Sequence, residues 1–209
     1  MRLLAISTAS PALSLAWFDG DRLAAHDHRI IGRGHAEALM TGIAALIGSA
    51  AADTVLVDIG PGSFTGIRIG IAAARALGLA WGVPVFGFSG AALVAAQAFA
   101  QRPGLANITV LLDGGRGQLL VCDYTADFRA DETRTLAPAD VAPGGACAGA
   151  GAALLPAPAA FDIVHNGQPD AAFAMALTLP ARTLLPAAHY VRPPDAILPL
   201  RSQIHKQQR

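Results

Sequence analysis

The chain has 209 residues, of which 53% are hydrophobic and only 14% charged, with Lys+Arg 15 balancing Asp+Glu 15 for a formal net charge of +0. That balance excludes a uniform basic field for drawing in a phosphate backbone, so nucleic-acid binding by the chain alone is not expected. The low charge leaves more apolar surface than a small globular protein needs, which points to a face that meets another protein.

Residues 2–6, Leu13 to Phe18 and Arg22 to Ile30 read as three strands, separated by the turn formers Ser7 to Pro11 and Asp19-Gly20-Asp21. From His35 the period changes: Ala36, Leu39, Met40, Ile43, Leu46 and Ile47 take the spacing of an amphipathic helix that ends at Gly48. Thr54 to Ile59 is a β-branched run that empties into Gly60-Pro61-Gly62-Ser63-Phe64-Thr65-Gly66. A helix is expected from about Thr65 to Trp81, then a strand over Val85 to Phe88, and a helix capped by Ser89 and running to about Ala100. This order predicts a mixed sheet flanked by helices.

Gln101-Arg102-Pro103-Gly104 reads as a boundary between a first lobe, residues 1–102, and a smaller one, residues 103–209. Past it, Ile108 to Leu112 and Leu119 to Tyr124 flank the turn Asp113 to Gly117 and repeat the opening hairpin. After residue 130 the Ala, Pro and Gly content rises and periodicity fades; a helix near Pro169 to Leu177 and a closing segment at Tyr190-Val191-Arg192 are the remaining assignments. The polar end, Arg201 to Arg209, reads as a frayed tail. Cys122 and Cys147 form no C-x-x-C pair and read as ordinary reduced thiols. One basic residue before a short apolar run does not make a secretory leader, no run of about eighteen apolar residues appears, and a cytoplasmic location without membrane contact is expected.

Candidate chemistry is sparse. Gly60 to Gly66 joins a strand to a helix, where amides and the helix end suit an anion, yet it lacks a phosphate-binding lysine and matches neither the P-loop nor the dinucleotide pattern. A tight turn packing the helix on the sheet explains it equally well. The helix behind it is apolar or small on every side except Arg68 and Arg75, so either a second protein or the chain's own second lobe must cover it. Gly87-Phe88-Ser89-Gly90-Ala91 approximates a nucleophile elbow, but Ala91 stands at the last glycine, and Ser89 reads as a helix cap rather than a serine-hydrolase nucleophile. His26 and His28 share a strand face, but no third ligand joins them at a sensible spacing, so they read as solvated. Glu37 reads as a first-turn acid on the helix dipole, and Asp113 and Arg116 as turn residues.

The segments Leu4 to Ala9, Ser14-Leu15-Ala16, Gly34-His35-Ala36-Glu37-Ala38-Leu39 and above all Gly60-Pro61-Gly62-Ser63-Phe64-Thr65-Gly66-Ile67-Arg68-Ile69-Gly70 resemble the TsaB (YeaZ) family. The last matches that family's G-P-G-S-F-T-G-[IV]-R-I-G signature throughout. The likeness continues through Gly78-Leu79-Ala80, Pro84 to Ser89 and Asp113 to Tyr124, and returns at Tyr190-Val191-Arg192.

This resemblance implies a two-lobed α/β fold of the actin/sugar-kinase/Hsp70 type (ribonuclease H-like), with mixed sheets flanked by helices. It further implies a non-catalytic scaffold for tRNA threonylcarbamoyladenosine synthesis, needing no cofactor and leaving room for weak ADP or ATP binding. The degenerate nucleotide or anion loop would be Ser7, Thr8, Gly60, Gly62, Ser63, Thr65 and Gly66. Implied partners are a TsaD-type catalytic subunit and a TsaE-type ATPase, with tRNA met only through the complex, and a homodimer of the isolated chain is open. The implied partner face is the helix pair 35–48 and 65–81, carrying His35, Glu37, Met40, Arg68, Ile71, Ala72, Arg75 and Leu79.

Two departures matter: Asp113-Gly114-Gly115-Arg116 forms an insertion-like turn where the family carries D-A-R, and a second bears on chemistry. Ser7-Thr8 stands where many family members carry Asp-Thr, which removes the carboxylate that would orient a metal-bound water. The H-x-x-x-H metal pair of TsaD-type subunits is absent as well. The alternative on the same fold is an ATP-dependent phosphotransferase.

Overall fold

Short apolar runs broken by glycine turns set up the first sheet: β1 (Arg2–Ser7), β2 (Ala12–Asp19) and β3 (Arg22–Ile30) form an antiparallel meander in the computed structural model, which describes residues 1–191. Next come α1 (His35–Ile47), β4 (Thr54–Asp58), α2 (Phe64–Trp81), β5 (Val85–Phe88) and α3 (Gly90–Gln101). β4 and β5 join in parallel and complete the order β3-β2-β1-β4-β5.

The second half repeats this plan with less material. β6 (Asn107–Gly115), β7 (Gln118–Thr125) and β8 (Arg134–Leu136) form a second antiparallel meander, and β9 (Ala146–Ala148) and β10 (Asp162–His165) extend it in parallel. Its order is β10-β9-β6-β7-β8, the first sheet's plan over again. β8, β9 and β10 hold three or four residues each, too few to show a period among the Ala, Pro and Gly of this region. They are the part of the fold that sequence periodicity does not reveal.

Strand alternation decides which core each side chain joins. On β1, Leu3 and Ala5 face α3, while Leu4 and Ile6 face α1 and α2. On β6, Ile108, Val110 and Leu112 turn toward α3, and Leu111 turns to the opposite face. Helix α3 therefore lies between the two sheets, and nine of its residues, Gly90 to Ala98, are buried. Among the described residues, the outer face of the second sheet is covered by a short 3-10 segment, Ala150–Leu154, with Val141, Leu155 and Phe161.

The boundary expected at 101–104 coincides with the end of α3, but that helix packs against both sheets. The helix expected near Pro169 to Leu177 is a 3-10 turn, Ala171–Ala176, with Asp170 as its cap. Pro169 and Pro180 bracket a segment too short to establish an α-helix. Ser89 occupies the cap position of α3 without making the cap bond; its hydroxyl instead accepts from Tyr124 at 3.1 Å. Cys122 and Cys147 are buried free thiols. Of the closing motif, Tyr190 and Val191 are placed, and Arg192, like the tail from Arg201, lies outside the described residues. No helix among the described residues is long and apolar enough to cross a membrane.

Candidate functional site

The glycine-rich loop that joins β4 to α2 packs against the β1–β2 turn. The Ser63 amide donates to the Ala9 carbonyl at 2.7 Å, and the Thr8 hydroxyl donates to the Gly66 carbonyl at 2.8 Å. A side chain at Gly66 would overlap the Thr8 carbonyl oxygen, so the approach requires glycine there. Ser63 caps α2, its Oγ accepting from the Gly66 amide at 3.2 Å. The amides of Gly60, Ser63 and Gly66 are thus all committed to acceptors within the protein. Of the two readings open from spacing, this geometry is that of the packing turn.

Beneath the loop lies Asp58, the last residue of β4 and completely buried. Its Oδ1 accepts from the Gly60 and Gly90 amides at 2.8 and 2.9 Å, and its Oδ2 accepts from the Ser7 hydroxyl at 2.7 Å. Burial pushes its carboxyl up to about 6, opposed by the three bonds. Sequence reading passed over Asp58 as one residue of a buried run. The available signal was an acid ending such a strand, beside a serine that ends its neighbour. A carboxylate from the adjacent strand thus reaches Ser7 and is sealed away from solvent.

A cleft of about 880 Å³ opens above the loop, between the two halves. Gly62, Ser63, Thr65 and Gly66 line one wall with Arg33 and His35; Leu112 to Gly115, Leu120 and Gln168 line the other, and Tyr190 and Val191 complete it. Ser7 and Thr8 do not line it: both are buried, with their hydroxyls spent on Asp58 and Gly66. Asp113, the acid in the lining, accepts from the Gly115 amide at 2.7 Å. The cleft has the volume of a small-molecule site, but among the described residues its lining brings together no nucleophile–base pair and no pair of carboxylates.

The outer face of α1 and α2 divides the expected partner residues. Glu37, Met40, Arg68, Ala72, Arg75 and Leu79 are exposed, Met40 at 48% and Leu79 at 87%. His35 and Ile71 are not available on this face. His35 is buried, its ring bonded to the Ala12 carbonyl at 3.2 Å, and Ile71 packs in the core beneath α2, because its place on the helix turns it toward the sheet. The two arginines hold the chain's closing segment. Arg68 stacks on Phe64, 3.7 Å from the ring centroid, and donates to the Tyr190 hydroxyl at 2.9 Å, while Arg75 donates to the Pro186 carbonyl at 2.8 Å. That clamp was not anticipated, since Phe64 and Tyr190 stand far apart in sequence.

His26 and His28 differ from their expected role. They point toward the second half of the chain, where Asp170, 144 residues beyond His26, supplies the third ligand-type side chain that local spacing did not offer.

Comparison with known proteins agrees with this architecture. Residues 28–181 match the family model described as TsaD: tRNA N6-adenosine threonylcarbamoyltransferase. An uncharacterized protein of Mycobacterium tuberculosis (strain ATCC 25618 / H37Rv) is 33% identical over 202 residues, 93% of each chain. The tRNA threonylcarbamoyladenosine biosynthesis protein TsaB of Escherichia coli (strain K12) is 32% identical over 139 residues, covering 63% of this chain and 57% of that protein. The solved structure of YeaZ from Pseudomonas aeruginosa superposes with a TM-score of 0.71 at 24% identity, over 84% of this chain and 89% of that one. The chain thus shares the two-lobed α/β fold of that structure, and it belongs to the TsaD: tRNA N6-adenosine threonylcarbamoyltransferase family.

Proposed function

We propose that this chain serves tRNA threonylcarbamoyladenosine synthesis as a non-catalytic scaffold, docking the outer face of α1 and α2 on a TsaD-type catalytic subunit. Family membership and the name of the E. coli relative support the pathway. The observation that carries the docking role is the composition of the exposed face. Ala44, Ala72 and Ala76 leave it flat, and Met40 and Leu79 project from it into solvent. Small residues let a partner's helices approach closely, and projecting apolar side chains supply the burial that drives association. A TsaE-type ATPase, contact with tRNA through the assembled complex, a homodimer of the isolated chain, a cytoplasmic location and the lobe division at residue 102 belong to the same reading.

Leu79→Glu tests it. Leu79 is so exposed that the substitution changes the chain's own stability by less than about 0.5 kcal/mol. A charge at the centre of an apolar interface costs more than about 2 kcal/mol, roughly a thirtyfold loss of affinity for the catalytic subunit in calorimetric titration. Undiminished affinity overturns the proposed face. The competing phosphotransferase reading is favoured by the cleft at the glycine loop; tight Mg-ATP binding with turnover by the isolated chain would establish it in place of the scaffold.

A further inference from the structure

His26 and His28 lie two apart on β3 and so share a strand face, opposite Ala16 and Ser14 of β2. Asp170 reaches this face from the other half of the chain. Its Oδ1 is 2.8 Å from His26 Nε2 and 3.9 Å from His28 Nδ1, and all three ligand atoms lie within 4.8 Å of one another. Two further bonds hold the carboxylate in place: the Ala172 amide donates to Oδ1 at 2.9 Å, and the Ser14 hydroxyl donates to it at 3.3 Å. Ser14 is in turn fixed by the Ala171 amide, which donates to its Oγ at 2.9 Å. An acid pinned in this way is oriented toward the histidines before anything binds.

His28 Nδ1 carries the decisive detail. The atom is shut off from solvent and has no hydrogen-bond partner. A buried polar atom left unpaired is destabilising, and a bound cation removes that cost by taking the lone pair. Around a tetrahedral ion with bonds of about 2.0–2.2 Å, neighbouring ligand atoms stand about 3.4 Å apart. The separations of 2.8 and 3.9 Å to Asp170 lie on either side of that value, each about half an ångström from it, and the third is no more than 4.8 Å. Two imidazoles and one carboxylate suit zinc and its first-row neighbours rather than magnesium or calcium, which prefer oxygen. His26 is partly exposed, leaving a fourth position to water.

We infer that His26, His28 and Asp170 form a zinc-class divalent metal site that fastens the segment before the 3-10 turn Ala171–Ala176 to the edge strand β3. The site lies on the face of β3 opposite α1, since Asp27 and Arg29 face that helix, and it stands whether or not the scaffold reading holds. It closes a loop of well over a hundred residues between His28 and Asp170, and it guards an edge of the first sheet that carries no further strand among the described residues.

The test uses the full chain, stripped with EDTA and titrated with zinc against a chromophoric chelator at neutral pH. One zinc per chain is expected. His28→Gln and Asp170→Asn each weaken it by more than about tenfold, since loss of a direct ligand exceeds the usual 10- to 100-fold floor for outer contacts. His189→Gln, at a histidine outside the cluster, leaves it unchanged. Zinc should also raise the melting temperature of the wild type and not that of the variants. A readout independent of variant folding is the imidazole NMR spectrum of the wild type, in which zinc should move the signals of His26 and His28 among the six histidines. Zinc uptake that is not saturable at one equivalent, binding unaltered in both variants, or unmoved His26 and His28 signals would overturn the site.

Discussion

Asp58 shows how a single buried carboxylate can organise a loop. It collects the Ser7 hydroxyl from β1, the Gly60 amide from its own loop and the Gly90 amide from the start of α3, and none of its surface is exposed. Gly90 has no room for a side chain, because a Cβ there would strike the carboxylate. Because burial raises the folded-state pKa to about 6, the folded protein holds this proton more tightly than the unfolded chain, where an aspartate titrates near about 3.9. The resulting stabilisation is complete below the unfolded value and fades as pH rises through about 6. Asp58→Asn keeps both amide bonds at Oδ1, reverses the bond to Ser7 and abolishes this titration. Relative to the variant, the wild type should lose on the order of 2 kcal/mol of stability between about pH 4 and pH 7, read from urea midpoints. Asp53, Asp127 and Asp162, whose carboxyls are held below the usual range by hydrogen bonds and neighbouring arginines, titrate alike in both proteins and cancel. Parallel curves for the two proteins would show that Asp58 is not the buried titrating acid.

At the scale of the element, the loop and α2 act as one unit. Gly66 and Gly70 bring the helix against Thr8, and Ser63 caps it, so the apolar inner stripe of Ile67, Ile71 and Ala74 settles on β1 and β4 while Leu79 is left outside. Gly66→Ala places a methyl into the Thr8 carbonyl, a backbone group that cannot swing aside. A loss of about 2–3 kcal/mol is expected from thermal or urea unfolding, at the upper end for overpacking. A variant as stable as the wild type would mean that the loop is not seated as described. Much of this unit was legible in the sequence: a β-branched strand, a turn of glycine and proline, and a helix ending at Gly82-Val83-Pro84 leave little choice. The orientation of each side chain was less so. Ile71 and Leu79 are equally apolar and two turns apart, and only the position of the sheet sends one inward and the other to solvent. Asp170 was beyond sequence reasoning for a different reason, since a ligand 144 residues from its partner leaves no spacing to recognise.

For the molecule as a whole, the twice-used sheet plan raises the question of whether its halves fold independently. The opening of each half was readable, because the meanders β1–β3 and β6–β7 carry clear alternation and turn signals. The closing strands of the second half were not, because β8, β9 and β10 hold only three or four residues each, too few to show a period. What unites the halves is α3. Leu93 is fully buried in a cluster that includes Leu3, Phe18 and Phe88 from the first sheet and Ile108, Val110 and Leu120 from the second. A core shared in this way cannot be dissolved on one side and kept on the other, so one cooperative unfolding transition is expected. Tryptophan fluorescence follows the first half alone, because Trp17 and Trp81 both lie there, whereas far-ultraviolet circular dichroism follows both halves. The two probes should give the same urea midpoint. Leu93→Ala should lower that midpoint for both together, by about 2–5 kcal/mol, as deletion of a buried leucine side chain leaves a cavity. Midpoints that separate, in the wild type or in the variant, would mean that each half holds its own core and that α3 merely lies between them.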